Sequence, residues 1–122
     1  MIKVLIADDY PLLRKMLKLL ISEAEDIVVA GEVSDGEEVL EKVKENNFNV
    51  ILLDINLPKK NGLEVLKELR SQGEKISALI VSTHSYNDYG ELVIREGASG
   101  YIAKEEASEK LIDAIRNVSR HK

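Results

Sequence analysis

The 122-residue chain contains no cysteine, which excludes disulfide scaffolds, thiolate metal sites and cysteine nucleophiles. It also lacks an excess of basic residues, since 17 Lys and Arg stand against 22 Asp and Glu, a formal net charge of -5. An acidic chain repels phosphate backbones, so we expect no direct binding to nucleic acid. No apolar run reaches the ~18 residues of a membrane span, and Met1 leads directly into a strand-like run instead of a secretory signal. These absences predict a cytoplasmic protein.

Strand-like and helix-like runs alternate along the whole chain, which predicts one α/β domain over residues 1–122, built on a parallel sheet. Most strands are continuous apolar runs, as expected when helices cover both faces. The five strands are predicted at 3–7, 27–33, 50–54, 77–82 and 100–103. The first helix is predicted to bury Leu13, Met16, Leu17, Leu20, Ile21 and Ala24. The fourth helix, at 88–96, has the weakest apolar stripe and is expected to be the most mobile element.

Four of the strand-like runs lead into a reactive polar group. Asp8 and Asp9 follow the first strand, Asp54 ends the third, Ser82 ends the fourth, and Lys104 follows the fifth. The carboxyl ends of parallel strands share one edge of a sheet, and ligands bind in the crevice there. The sequence therefore predicts an acidic pocket with a hydroxyl and an ammonium group at its rim.

Three converging carboxylates repel one another unless a cation lies among them, and oxygen ligands favour Mg²⁺. A carboxylate beside Mg²⁺ can attack a phosphoryl group and form an aspartyl phosphate. Asp54 is the candidate nucleophile, because the strand order 2-1-3-4-5 puts it in mid-sheet, next to Asp8 and Asp9. The plainer alternatives are helix or loop caps for the aspartates, and solvated side chains for Ser82 and Lys104.

Four segments together resemble the receiver domain of bacterial two-component response regulators: VLIADD, VILLDINLPKKNGLEVL, LIVSTHS and REGASGYIAK, in that order. The GASGYIAKE stretch is most similar to the nitrate-response (NarL/FixJ) branch. The resemblance implies a flavodoxin-like, doubly wound (βα)5 fold with strand order 2-1-3-4-5. It also implies a signalling domain that catalyses only its own phosphorylation and dephosphorylation.

By this resemblance, Asp54 accepts a phosphoryl group from a sensor histidine kinase. Mg²⁺ is held by Asp8, Asp9, Asp54 and the backbone carbonyl of Asn56, and Lys104 holds the phosphoryl group.

The family also implies that Ser82 and Tyr101 form a hydroxyl and aromatic switch pair. Asn56 and His84 match positions that tune phosphoryl lifetime, although His84 could equally be a surface loop residue. Phosphorylation is expected to shift the fourth helix and turn Tyr101 inward. The expected consequences are control of an output such as transcription, and homodimerisation.

Two positions depart from the family pattern. Thr83 stands where a small residue is usual, and strand alternation lets only one of Ser82 and Thr83 face the pocket. Register against Lys104 favours Ser82. Glu105 follows Lys104 where many receivers carry proline, and a non-proline cis bond costs about 2.5–4 kcal/mol, so we expect a trans bond.

Three other functions remain open on the sequence. An interaction module that is never phosphorylated could use the same fold. A Mg²⁺-dependent phosphatase of the haloacid-dehalogenase type would need an Asp-x-Asp pair, whereas this chain has Asp8-Asp9. A flavin-binding protein would need a loop of glycines and hydroxyls at the position of the acidic 8–11 segment.

Overall fold

The computed structural model describes residues 1–84 and 86–120, which form five strands, five α-helices and one short 3-10 turn. The strands are β1 (Ile2–Ala7), β2 (Ile27–Val33), β3 (Val50–Leu53), β4 (Ser77–Ser82) and β5 (Gly100–Ala103). The helices are α1 (Pro11–Ile21), α2 (Gly36–Glu45), α3 (Gly62–Ser71), α4 (Tyr86–Arg95) and α5 (Ala107–Arg120), and the 3-10 turn (Lys104–Glu106) precedes α5. Within these residues, no helix is both long and apolar enough to cross a bilayer.

The five strands form one sheet in the order β2-β1-β3-β4-β5, and every neighbouring pair is parallel. The predicted doubly wound α/β fold is therefore confirmed. β3 is the central strand, and all four of its residues are buried, as are all six of β4. Helices cover both faces, so each face of the sheet has its own apolar core.

Strand alternation divides the apolar side chains between the two cores. Ile51 and Leu53 of β3 pack in the core that includes residues of α2 and α3, whereas Val50 and Leu52 pack in the core that includes residues of α1 and α5. Removing these side chains from water supplies the main stabilisation, about 25 cal/mol per Å² of apolar surface. Any strand that slipped by one residue would exchange the two sets.

Helix starts follow from local side chains. Asp35 caps α2 by accepting a hydrogen bond from the Glu38 amide at 2.9 Å. Asn61 and Glu64 form a capping box at the start of α3, with each side chain accepting the other residue's backbone N–H. Such caps satisfy amides that have no partner inside the helix.

The loop after β3 is clamped by two glycines at helix starts. The Gly36 amide donates to the Pro58 carbonyl at 3.2 Å, and a Cβ on Gly36 would lie 2.1 Å from the Lys60 carbonyl oxygen. A Cβ on Gly62 would lie 2.4 Å from the carbonyl oxygen of Asp54. Only glycine lets the backbone come so close to Lys60 at the first position and to Asp54 at the second. These two contacts fix the loop that begins at Asp54.

Several details differ from the sequence-based predictions. β1 begins at Ile2, one residue earlier than predicted, and β3 ends at Leu53, one residue before the predicted end at Asp54. Ala24, predicted on the buried face of the first helix, lies beyond the end of α1 at Ile21.

Met16 is 36% exposed because Leu17 and Ile21 occupy the centre of the buried face of α1, and Met16 lies one residue, about 100°, away from it. α4 begins at Tyr86, two residues earlier than predicted. Of the stripe predicted for α4, Val93 is buried, whereas Tyr89 and Leu92 are exposed.

Candidate functional site

The strand register places Asp8 and Asp54 side by side. Ala7 at the end of β1 pairs with Leu53 at the end of β3, so the next residue of each strand enters the same crevice. The Asp54 amide donates to the Ala7 carbonyl at 3.1 Å, which extends the ladder by one more bond. The acidic pair is therefore a direct product of parallel pairing between two buried strands.

Asp9 completes a group of three carboxylates. One oxygen each from Asp8, Asp9 and Asp54 lies within 4.8 Å of the other two. Asp8 and Asp54 are 2% and 4% exposed, whereas Asp9 is open to solvent. Two buried acids and one exposed acid thus converge at the predicted edge of the sheet.

Backbone amides orient the two buried carboxylates. Asp8 Oδ1 accepts from the Tyr10 amide at 2.9 Å, and Asp54 Oδ1 accepts from the Asn56 amide at 3.1 Å. These are the short local bonds that the capping alternative expects. The N-cap position of α1 is nevertheless Tyr10, which makes no side-chain capping bond in the described chain, so capping does not account for Asp9.

Lys104 brings a positive charge to the buried pair. Its Nζ lies 3.2 Å from Asp8 Oδ2 and 3.4 Å from Asp54 Oδ2, and its side chain is 17% exposed. Partial burial strengthens this attraction relative to a surface ion pair. The ammonium group predicted from the end of β5 therefore bridges the ends of β1 and β3.

The surroundings of Asp54 disfavour the ionised form of its carboxyl group. Burial raises the pKa of Asp54 above its ordinary value of 3.8, and the neighbouring charge of Asp8 raises it further. The Asn56 amide and Lys104 act in the opposite direction but do not cancel the effect of burial. A cation added between the carboxylates would lower this cost.

These donors fit a hard divalent ion. Carboxylate oxygens are the ligands that Mg²⁺ prefers, and this ion keeps several of its waters, which requires an open site. Two of these acids, Asp9 and Asp54, line a cavity of about 760 Å³ together with Asn56, Thr83 and Lys104. The residues present therefore fit Mg²⁺, with space for water and a phosphoryl group beside it.

His84 links the two members of the predicted switch pair through its backbone. Its amide donates to Ser82 Oγ at 3.1 Å, and its carbonyl accepts from the Tyr101 hydroxyl at 2.7 Å. Ser82 is fully buried. The His84 ring points away toward α4 and packs edge-on against Tyr89, with ring centroids 4.7 Å apart. Sequence analysis missed this backbone link, because it depends on the conformation of the loop after β4.

The two neighbouring hydroxyls have different surroundings. Ser82 Oγ is held by the loop amide, whereas Thr83 is exposed and lines the cavity together with Asp54 and Lys104. Which hydroxyl faces a bound phosphoryl group stays a prediction. The described residues contain no cis peptide bond, in agreement with the expectation for Lys104-Glu105.

Sequence analysis also missed the apolar wall of the cavity. α1 contributes four side chains to it: Leu12, Leu13, Met16 and Leu19. Leu12 and Leu19 are 69% and 62% exposed. The signal was present in the i, i+4, i+7 spacing of 12, 16 and 19, which forms a second stripe beside the buried one.

Comparison with known proteins gives a consistent result. Residues 4–116 match the family model of the response regulator receiver domain. The chain is 36% identical over 119 residues to the uncharacterized transcriptional regulatory protein YxjL of Bacillus subtilis, covering 98% of this chain and 55% of that protein. It is 36% identical over 116 residues to the nitrate/nitrite response regulator protein NarL of Escherichia coli K12, covering 95% and 54%.

Solved structures share the whole architecture. A DNA-binding response regulator of the LuxR family from Staphylococcus aureus superposes with a TM-score of 0.89 at 31% identity, over 98% of this chain and 99% of that one. The response regulator domain of Thermotoga maritima CheB gives 0.88 at 29% identity, over 98% and 96%.

The chain spans about half the length of the curated relatives it matches. The match nevertheless covers nearly all of this chain, and the fold and the acidic site agree with it. The chain belongs to the receiver domain family of two-component response regulators, in the NarL/FixJ-like branch.

Proposed function

We propose that this domain is a Mg²⁺-dependent phosphoacceptor in which Asp54 takes a phosphoryl group from a phosphohistidine of a sensor kinase. The observation that carries the proposal is the convergence of Asp8, Asp9 and Asp54 within 4.8 Å of one another. The second support is Lys104, which lies within 3.4 Å of both buried carboxylates. Family membership agrees with this assignment.

In the transfer step, an oxygen of Asp54 attacks phosphorus. A P–O bond forms, the P–N bond of the phosphohistidine breaks, and the leaving imidazole recovers its nitrogen lone pair. The Asn56 amide orients Asp54, and both this amide and Lys104 offset part of the rise in the pKa of Asp54 and so favour the reactive carboxylate. When bound, Mg²⁺ would be held by the three aspartates and the Asn56 carbonyl, and would neutralise charge on the phosphoryl oxygens.

After transfer, new negative charge lies next to Lys104 and the end of β4. Ser82 Oγ now accepts a bond from the His84 amide, and turning its hydroxyl toward the phosphoryl group would release that amide. His84 also holds Tyr101, so the change reaches β5 and α4. In this proposal phosphorylation biases an equilibrium between two arrangements of the loop and helix.

The output is proposed from the relatives. The matched regulators of Bacillus subtilis and Staphylococcus aureus are named as transcriptional or DNA-binding proteins, and this chain covers about half of the first of them. We therefore propose that the receiver acts in the cytoplasm and controls transcription through a separate DNA-binding domain. The switching surface would lie around α4, β5 and α5, and phosphorylation could be coupled there to homodimer formation.

Acetyl phosphate with Mg²⁺ tests the assignment directly. The wild-type domain should gain one phosphate, detected by intact mass spectrometry, and Asp54→Asn should gain none. Asp113→Asn is the matched control, because Asp113 is 84% exposed on α5 and should leave labelling unchanged. Equal labelling of wild type and Asp54→Asn would refute Asp54 as acceptor, and no labelling of the wild type would favour an unphosphorylated interaction module.

A further inference from the structure

A glycine in the middle of α4 makes room for an aromatic ring. Gly90 is buried, and a Cβ built on it would lie 2.0 Å from Cδ2 and 2.3 Å from Cε2 of Tyr86, one helical turn earlier. Glycine weakens a helix relative to alanine, so its presence here needs a packing reason. The space left by the missing side chain is the space that the Tyr86 ring occupies.

The same ring contacts the predicted switch residue. Tyr86 and Tyr101 pack edge to face, with ring centroids 5.8 Å apart and planes at 85°. This geometry places the positive edge of one ring against the negative face of the other. At its far end the Tyr101 hydroxyl donates to the His84 carbonyl at 2.7 Å. Tyr101 is therefore held at its ring by α4 and at its hydroxyl by the loop after β4.

We propose that Tyr86, seated on Gly90, is a positioning residue that keeps Tyr101 in its hydrogen-bonded orientation and so sets the resting balance of the switch. This inference rests on the proposed function, because it concerns regulation of the same site. The contact joins the start of α4 to β5, the two elements that the switch must couple.

The exposure of Tyr86 indicates that its ring orients Tyr101 and is not part of the hydrophobic core. Tyr86 is 50% exposed and Tyr101 is only half-buried, whereas the core side chains around β4 are almost fully enclosed. A half-exposed ring adds modestly to stability, so Tyr86→Ala should still fold. With that ring absent, water can reach Tyr101 and compete for its hydroxyl, which shifts the ring toward other rotamers.

Fluorine NMR of protein labelled with 3-fluorotyrosine tests the proposal without metal or phosphate. The chain has four tyrosines, so four resonances are expected, and Tyr101→Phe assigns the relevant one. In Tyr86→Ala and Gly90→Ala, the Tyr101 resonance should move toward the shift of a solvent-exposed fluorotyrosine. Tyr86→Phe, which keeps the ring, and Glu91→Ala, an exposed neighbour on the same helix, should leave it in place.

An unchanged Tyr101 resonance in Tyr86→Ala would overturn the proposal, as would a Tyr86→Phe variant that behaves like Tyr86→Ala. Should Gly90→Ala fail to fold, Tyr86→Ala alone tests the proposal.

A titration with beryllofluoride and Mg²⁺ distinguishes a failure of this inference from a failure of the proposed function. Tyr86→Ala should need several-fold less beryllofluoride than wild type, because loosening the resting orientation of Tyr101 leaves more of the variant in the binding-competent state. A wild type that never responds would refute the proposed function, while the metal-free spectra still decide the role of Tyr86.

Discussion

At the scale of single residues, the site contains buried charged groups that reduce the stability of the metal-free, unphosphorylated domain. Asp54 is nearly enclosed, and both its burial and the charge of Asp8 disfavour its ionised form. Lys104 offsets part of this cost from 3.4 Å away. Functional sites commonly keep residues that destabilise the fold, and replacing one of these charged groups often raises the free energy of unfolding.

Asp54→Asn should therefore stabilise the metal-free domain at neutral pH, by about 1 kcal/mol. The folded-state pKa of Asp54 is raised, so the folded protein takes up a proton before the unfolded chain does. The penalty is full above that raised pKa and disappears as the pH falls toward the ordinary value of 3.8. Urea unfolding in EDTA over this pH window measures the effect.

Asp113→Asn provides the comparison, because it removes the same charge from an exposed position. It should change the free energy of unfolding little at any of these pH values. A stabilisation of Asp54→Asn that persists undiminished at acidic pH would contradict the assigned cause.

Sequence analysis predicted the acidic residues and Lys104 because parallel strands bring their carboxyl ends to one edge. It could not predict the backbone link through His84 or the surroundings of Ser82 and Thr83. Those depend on loop dihedral angles, which side-chain periodicity does not encode. The sequence thus predicted which side chains meet at this edge, but not the hydrogen-bonded connection from Ser82 to Tyr101 through His84.

At the scale of elements, the loop between β3 and α3 is held by close backbone contacts. Gly62 donates its amide to the Ile55 carbonyl at 2.7 Å, and its Cα faces the carbonyl of Asp54. The helix start therefore sets the position of the backbone that carries the candidate acceptor.

Gly62→Ala should destabilise the domain by about 1–3 kcal/mol, because the new methyl group would overlap the Asp54 carbonyl oxygen at 2.4 Å. Labelling by acetyl phosphate should also slow, since the Asp54 backbone must move. Urea unfolding and a time course of intact mass measure the two effects.

Gly73→Ala distinguishes this clash from a general cost of replacing glycine. Gly73 has φ +81° and nothing within 4 Å of a built Cβ, so only backbone strain of about 1 kcal/mol is expected. Labelling of Asp54 should be unaffected. Slower labelling in both variants would contradict the specific role of Gly62.

Periodicity predicted the existence of every helix, but it was less reliable for the surroundings of individual side chains. In α1, Met16 fits the apolar pattern and still lies outside the core, because two adjacent stripes overlap at that position. In α4, which begins at Tyr86, the ring of that residue packs against Tyr101 of β5, a contact that no local sequence pattern contains.

At the scale of the whole molecule, the proposed metal site predicts a link between stability and Mg²⁺. A ligand that binds only the folded state raises the free energy of unfolding, by about 2.7 kcal/mol at a hundred times its Kd. Asp54 lies far along the chain from the adjacent pair Asp8 and Asp9, so the unfolded chain does not reproduce the three-carboxylate cluster.

Mg²⁺ should therefore raise the unfolding midpoint of the wild-type domain in a saturable manner, followed by thermal or urea unfolding at constant ionic strength. Asp9→Asn should lose most of this gain while folding normally, because Asp9 is the exposed member of the three. Asp113→Asn should retain it. An equal response in Asp9→Asn would place the metal elsewhere.

The parallel sheet has one last consequence, for protein quality control. Asp8 follows β1, Asp54 follows β3 and Lys104 follows β5, so the pocket exists only after the first and last strands have docked on the same sheet. A nascent or damaged chain that lacked β1 or β5 would not assemble the candidate acceptor site. Incomplete molecules would therefore not be phosphorylated and would not produce the output that the proposed function assigns to the phosphorylated domain.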